Sequence, residues 1–251
     1  MRDTGELCGP RTDRGYNQTT ASGYPFWVLD PRPEDIRIED IAAHLSRICR
    51  FGGALNNTVT VEGTLDGYYR AGEAPDGAMV RNILFETYSV AQHSVLVSRN
   101  VPQEFALEAL LHDAAEAYVG DVIKPIKLLL EIDPDTRDTL FMALHSDFGR
   151  ARSDEILDAL PSFSRIEGRV DAAIRAKFGL PLEMSPEVKE ADYRAVLTEK
   201  RDLLNDKGVV DWGIPDLPPF EERIVPVLPS VARAQFLQRF SELYERENND
   251  R

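Results

Sequence analysis

The sequence predicts an all-α protein, and three observations lead to this prediction. Apolar residues recur at helical spacing in most of the chain. Glycines and prolines, such as Gly52, Pro125 and Gly179, separate these stretches. The alternation of apolar and polar residues that is typical of a strand is limited to one short run, TVTVEG. The predicted helices are 34–50, 88–99, 102–119, 133–148, 153–178, 186–206 and 230–247.

The pattern also predicts how the chain is organised. Residues 1–25 are polar and read as a flexible N-terminal tail, and residues 26–251 read as a single domain. Residues 54–87 form an insert that is rich in glycine and polar residues. Both a small hairpin and a long surface loop fit this insert, and the sequence does not separate them.

Composition narrows the possible partners. The 251 residues carry a formal net charge of −14, and no basic stripe stands out, which disfavours polymeric nucleic acid as a ligand. No apolar run is long enough to cross a membrane, so we expect no membrane partner. The only cysteines, Cys8 and Cys49, have no metal-binding spacing and fit reduced thiols in a cytoplasmic protein.

Chemistry-bearing residues lie inside the predicted helices. His112 and Asp113 are adjacent within LLHDAAEAYVGD, an apolar context that tolerates them poorly unless a partner such as a divalent cation satisfies both. On the predicted helix, Glu116 projects over the same face as this pair. His93 and Asp192 lie in similar apolar settings. Each of these residues alone is weak evidence, and the prediction rests on the ordered set.

The order His…His-Asp…Asp, with its flanks, resembles the HD superfamily of metal-dependent phosphohydrolases. SVAQHSVLVS, ALLHDAAEAYVGD followed by KPIK, and VKEADYRAVLTEKRDLL look like the bacterial 5′-deoxynucleotidases and the phage dATP triphosphohydrolases of that superfamily. LSRICRFGG and DWGIP match the same group. The resemblance implies an HD-domain helical bundle. The insert before the first metal-binding helix departs from the usual pattern, in which that connection is short.

The resemblance also assigns roles to residues. The metal ligands fall on His93, His112, Asp113 and Asp192. The catalytic residues fall on Glu116, as acid–base group, and Asp121, near the substrate. The substrate-binding candidates are Arg47, Arg50, Phe51, Lys124 and Lys127, with Arg50 favoured over Arg47 and Lys127 over Lys124. His44 and His145 read as structural or surface residues.

Two imidazoles and two carboxylates suit one divalent ion: Mn, Co, Zn, Fe or Ni, with Mg also open. Such an ion lowers the pKa of water and polarises phosphorus. The expected reaction is hydrolysis of a small nucleotide, either a deoxynucleoside monophosphate losing phosphate or a triphosphate losing tripolyphosphate. The alternatives are a non-catalytic nucleotide-sensing module and an HD phosphodiesterase or alarmone hydrolase. Relatives in this superfamily commonly assemble, which implies a homo-oligomer.

Overall fold

The predicted all-α class is confirmed. The computed structural model describes residues 13–55, 87–131, 134–159, 162–205, 207–208 and 212–249. Its helices are α1 Ile38–Leu45, α2 Val90–Arg99, α3 Ala106–Leu111, α4 Glu116–Val119, α5 Lys124–Leu129, α6 Pro134–Ala159, α7 Phe163–Phe178, α8 Pro186–Leu203 and α9 Pro229–Asn249. Short 3₁₀ turns occupy Pro33–Asp35, Arg50–Gly53 and Gln103–Phe105. Two two-residue strands, β1 Gln18–Thr19 and β2 Pro25–Phe26, pair antiparallel.

The helix predicted over 34–50 is shorter in the structure because tertiary pairing replaces its second half. The backbone N–H of Arg50 donates to the Tyr88 carbonyl at 2.9 Å, and the N–H of Val90 donates to the Ile48 carbonyl at 3.0 Å. These two bonds hold the chain around Cys49 extended against Ser89. The predicted helix therefore ends at Leu45, and the chain passes through a turn over 46–48 to the extended Cys49.

The prediction of one helix over 153–178 is also wrong. Residues before Ala159 belong to α6, and a new helix begins at Phe163 with Ser162 as its N-cap. The Ser162 side chain accepts from the Arg165 N–H, the usual way to satisfy an exposed helix start. The predicted break near 148 corresponds to Gly149, whose φ of 73° and ψ of 168° interrupt α6.

The chain divides into two compact units that interleave along the sequence. The first unit comprises Met1–His44 and Asp113–Glu183, and the second comprises Leu45–His112 and Met184–Arg251. In the second unit α2 packs against α3, α8 and α9. Its apolar core contains Tyr88, Leu96, Val97, Ala109, Val188, Ala191, Ala195, Leu203, Phe220 and Ile224.

The first unit incorporates residues that the sequence assigned to the tail. Residues 13–25 are folded: Arg14 donates to the Asp30 carboxylate at 2.7 Å and also pairs with Asp35. Next to this segment, the Phe26 ring stacks on Tyr118 with centroids 3.8 Å apart. Polar residues of this segment therefore form hydrogen bonds with the rest of the first unit, and their polarity does not indicate disorder. The predicted insert lies outside the described residues over 56–86.

His44 has the structural role that the sequence favoured. Its Nε2 accepts from the Ala21 N–H at 3.1 Å, so in the neutral ring Nδ1 carries the proton and donates to the Ala117 carbonyl at 2.7 Å. Both ring nitrogens therefore bond to backbone within the first unit. Among the described residues, no helix is both long and apolar enough to span a membrane.

Candidate metal centre

Two imidazoles meet inside the second unit. His93 lies on α2 and is fully buried, and His112 directly follows α3 and is 6% exposed. Their Nε2 atoms are 3.3 Å apart. α2 begins at the Ser89 N-cap, whose hydroxyl accepts from the Gln92 N–H. This cap and the packing of α2 on α3 fix where the first imidazole is placed.

Hydrogen bonds at the other ring nitrogens set the tautomers of both histidines. His93 Nδ1 lies 2.6 Å from Glu199 Oε1, and His112 Nδ1 lies 2.8 Å from the Ala109 carbonyl oxygen. A carboxylate and a carbonyl can only accept, so each Nδ1 carries the proton and donates it. In the neutral rings both Nε2 lone pairs then point into the same space. Two lone pairs this close repel each other unless a proton or a metal cation lies between the two nitrogens.

Two carboxylates lie beside the imidazole pair. Asp192 on α8 places Oδ1 3.2 Å from His93 Nε2 and 3.7 Å from His112 Nε2. One ligand atom each from His93, His112 and Asp113 also lie within 4.8 Å of one another. Two ligands about 2.1 Å from one tetrahedral ion are about 3.4 Å apart, which the imidazole spacing matches. The group formed by His93, His112 and Asp113 could therefore bind a metal ion.

The electrostatics of this cluster are strongly coupled. Burial alone would raise the pKa of the Asp192 carboxyl, but the contacts with His112 and His93 hold that pKa well below its usual range. Burial and the Arg50 charge lower the pKa of the His93 imidazole, yet the carboxylates of Glu199 and Asp192 outweigh them and the net pKa is raised. The carboxylates therefore favour the protonated form of the His93 imidazole, whereas a metal ligand has to be the neutral imidazole, so metal binding would release this proton.

Glu199 supports the site, and sequence reasoning missed it. It lies seven residues after Asp192 on α8, two turns along the same face, and its side chain is fully buried. Burial raises the pKa of its carboxyl, but the charges of His93 and Arg50 outweigh burial and lower it. Metal-binding imidazoles usually donate their second N–H to such a carboxylate. The i, i+7 spacing from Asp192 was the signal that could have revealed Glu199.

Arg50 and Phe51, the favoured substrate residues, lie beside this support. Arg50 is buried, and its guanidinium approaches Glu199 Oε2 at 3.4 Å. Phe51 has a φ of 56°, which is unusual for a residue with a side chain, and its ring lies 6.0 Å from Trp212. Lys200 Nζ lies 5.1 Å from the Trp212 ring. Arg47, the other arginine candidate, is exposed.

The stretch that contains His112 and Asp113 is not the continuous helix predicted over 102–119. Between α3 and α4 the backbone bonds run from residue i to i−3, as in the Glu116 N–H donating to the Asp113 carbonyl at 3.0 Å. With three residues per turn, Glu116 lies directly over Asp113 rather than over His112. Tightened turns of this kind often occur at functional positions in helices.

The remaining candidates lie in the first unit. Glu116 is 6% exposed and begins α4, whereas Asp121 is partly exposed and Lys124 is exposed. Lys127 Nζ donates to Glu167 at 2.8 Å. Burial lowers the pKa of Lys127, but the Glu167 carboxylate outweighs it and the net pKa is raised. Lys127 is thus a charged, half-buried cation held by one carboxylate.

A cleft of about 210 Å³ lies on the second unit, between one face of α2 and the segment around Ile224. Gln92 lines it and bonds through its side chain to the backbone of Val225 and Val227. The cleft contains none of the candidate metal ligands. Its volume is below the roughly 300 Å³ at which ligand pockets usually begin. We therefore assign it no ligand.

Comparison with known proteins places the chain in a family. It is 36% identical over 230 residues to the uncharacterized protein YfdR of Escherichia coli, and the match covers 90% of this chain and 94% of that protein. The chain belongs to the YfdR family. A second relative, the uncharacterized protein RCAP_rcc00048 of Rhodobacter capsulatus, is 33% identical over 144 residues, covering 53% of this chain and 58% of that protein. No protein family model matches the chain.

The names of both relatives state no activity. The structure brings His93, His112 and Asp192 together within the second unit and places Asp113 with the imidazole pair. The roles of these residues as ligands, and of the catalytic and substrate candidates, stay predictions.

Proposed function

We propose that this YfdR-family chain is a metal-dependent phosphohydrolase that cuts a nucleotide phosphate. One observation carries the proposal: two imidazoles with Nδ1 protons tied to Glu199 and Ala109 direct both Nε2 atoms at one point beside the Asp192 carboxylate. The imidazoles and carboxylates together fit a first-row divalent ion: Mn, Co, Zn, Fe or Ni. The carboxylates of the set also allow Mg.

Each residue has a stated task in this proposal. His93, His112, Asp113 and Asp192 hold one divalent cation, whose chemistry when bound is to polarise a phosphoryl oxygen and lower the pKa of water. Glu116, one tight turn after Asp113, accepts the proton of the attacking water and returns it to the leaving group. Asp121 orients the substrate, and Lys124 and Lys127 neutralise its phosphate charge.

The buried Arg50 has a second task besides the substrate contact that the family resemblance implies. Its guanidinium faces Glu199, a carboxylate with no exposure to solvent. Burying that charge unpaired would cost several kcal/mol. Arg50 therefore keeps Glu199 ionised, and the ionised carboxylate keeps the His93 Nε2 lone pair directed at the cation.

The first experiment tests the reaction itself. The chain is stripped with a chelator, reloaded separately with Mn and Co, and assayed on mono- and triphosphates of ribo- and deoxynucleosides. Release of orthophosphate from a monophosphate, or of tripolyphosphate from a triphosphate, is expected only after metal is restored. Nucleotide binding without any turnover across this panel would contradict the proposal and favour a sensing module.

The second experiment compares two acidic residues of α8. Asp192→Ala should lower metal affinity by about 100-fold or more and abolish turnover, because it removes a direct ligand. Glu190→Ala, on the exposed part of the same helix, should change neither. Bound metal is measured by elemental analysis and titration calorimetry. Equal metal affinity in the two variants would exclude Asp192 as a ligand.

A further inference from the structure

Two aromatic rings of the second unit meet beside the residues that support the candidate metal centre. The ring centroids of Phe51 and Trp212 are 6.0 Å apart, and the ring planes are inclined by 59°. Both residues are partly exposed, and neither belongs to the apolar core of this unit as the described residues define it. The two rings therefore lie where a ligand from solvent can reach them.

The backbone at Phe51 is strained. Its φ is 56° and its ψ is 27°, and in the part of the chain that the structure describes it is the only residue other than glycine with a positive φ. This conformation costs free energy in a residue that carries a Cβ, whereas Gly52 and Gly53 adopt it freely. Strain of this kind concentrates at sites that bind ligands. It therefore indicates that the position of the Phe51 ring serves more than packing.

Two cations lie against the aromatic pair. The Arg50 guanidinium lies 5.4 Å from the centre of the Phe51 ring, and Lys200 Nζ lies 5.1 Å from the centre of the Trp212 ring. A cation over an aromatic face is attracted by the ring and so helps to hold it in place. In a chain with a net charge of −14, a lysine at this position favours an anionic ligand over a neutral one.

Direct contacts connect these rings with the candidate metal centre. Arg50 approaches Glu199 at 3.4 Å, and Glu199 lies 2.6 Å from Nδ1 of His93. Lys200 follows Glu199 on α8, so the same helix places the supporting carboxylate and the ammonium at the indole. All of these residues belong to the second unit.

A nucleotide has the two features that this arrangement fits. Its phosphate is the group that a cation at the histidines binds, and its planar base is the group that stacks on an aromatic side chain. We propose that the base of the substrate stacks on Trp212, with Phe51 and Lys200 holding the indole in position. The proposal rests on the phosphohydrolase function for the class of ligand. The family resemblance assigns Phe51 to the substrate but gives no role to Trp212 or Lys200.

The test measures binding separately from turnover, by titration calorimetry on the full chain loaded with Mn. The ligands are phosphonates related to dAMP and dATP in which a methylene group replaces the 5′ oxygen, so that the bond cut in either proposed reaction is absent. A matching phosphonate lacks the base. Wild type should bind the compounds that carry a base about 10-fold or more tightly than the compound without one. Trp212→Ala should lose this preference and should bind the compound without a base as wild type does.

The chain has two tryptophans, and Trp27 provides the matched control. Trp27 lies in the first unit, where Arg14 covers its ring. Trp27→Phe should keep both the base preference and the change in tryptophan fluorescence on binding. Trp212→Phe should keep most of the preference, because it retains a ring, but should lose the fluorescence change. Circular dichroism verifies that every variant is folded.

The outcomes separate this proposal from the proposed reaction. An unchanged base preference in Trp212→Ala, or no preference in wild type, would overturn the base site. Turnover of nucleotides in that case would leave the reaction standing. Base-dependent binding that is lost in Trp212→Ala, without turnover of any nucleotide, would support the base site and contradict the phosphohydrolase function.

Discussion

Helices α2 and α6 both lie in stretches predicted to be helical, but their surroundings differ. Eight of the ten residues of α2 are buried, including His93. In α6, only Ser153 and Leu157 are buried among the side chains that the structure describes. An amphipathic pattern shows that a helix needs an apolar partner, but it does not show whether the partner belongs to the same chain.

The difference matters for function because the candidate metal centre is built where packing is dense. His93 and Asp192 come from helices that enclose the core of the second unit; the side chain of His93 is fully buried, and that of Asp192 is 30% exposed beside it. Ligand geometry has to be held within a few tenths of an ångström for tight metal binding. Dense packing supplies that precision, and an exposed helix such as α6 cannot.

The largest expected effect comes from removing apolar volume in the packed second unit, and the same kind of change on α6 gives the comparison. Leu110 on α3 is fully buried, and Leu110→Ala should lower the free energy of unfolding by about 3 kcal/mol through lost burial and a residual cavity. Met142→Ala on α6 should cost less than about 0.5 kcal/mol in dilute protein, because Met142 is 67% exposed.

Thermal unfolding followed by circular dichroism at several protein concentrations measures both effects. The loss in Leu110→Ala should not depend on concentration, since its contacts lie within one chain. Equal losses for the two variants in dilute protein would remove the distinction between the helices.

The sequence predicted the helices well where the structure depends on local pattern. The start of α8 at Ser185–Pro186 and the extent of α9 follow from caps and apolar periodicity. It failed where distant residues pair, as around Cys49, where a tertiary bridge to Ser89 replaces predicted helix. Such pairing depends on residues some forty positions apart, which a local pattern does not contain.

The residues of the candidate site were likewise predicted in part. His93, His112 and Asp192 were identified in advance by resemblance, because their flanking motifs are distinctive. Glu199 was not, since a glutamate in TEKRDLL looks like any solvated helix residue until the fold buries it. The tight turn before Glu116 was missed too, because helical and 3₁₀ bonding share one apolar pattern over so few residues.

A sharper test of the packed region targets Glu199. Glu199→Gln keeps the shape but removes the charge that pairs with Arg50 and holds His93. Metal affinity should fall about 10- to 100-fold, the usual effect of losing a residue that supports a ligand. Calorimetric titration of metal into the folded variant measures this effect separately from stability. An unchanged affinity with only a lower unfolding temperature would leave Glu199 a purely structural role.

The smallest expected effect concerns the first unit, where α5 buries none of its residues and polar contacts hold the chain that follows it. Glu131 follows that helix, and its carboxylate accepts from the Ser162 hydroxyl at 2.5 Å and from the Ser164 N–H at 2.7 Å, at the start of α7. These bonds to Ser162 and Ser164 hold the pKa of the Glu131 carboxyl below its ordinary value of 4.5. The carboxylate therefore stabilises the folded state fully above pH 4.5, and this contribution is lost as the pH falls through the lowered pKa.

Glu131→Gln should lower the free energy of unfolding by up to about 1 kcal/mol at neutral pH, and the difference from wild type should shrink on acidification. Glu183→Gln, an exposed acid of the same unit, is the control and should show no such pH dependence. A gap that stays constant from neutral pH to well below 4.5 would mean that the Glu131 charge does not hold the start of α7, and the neutral hydrogen bonds to Ser162 and Ser164 would then account for the whole effect.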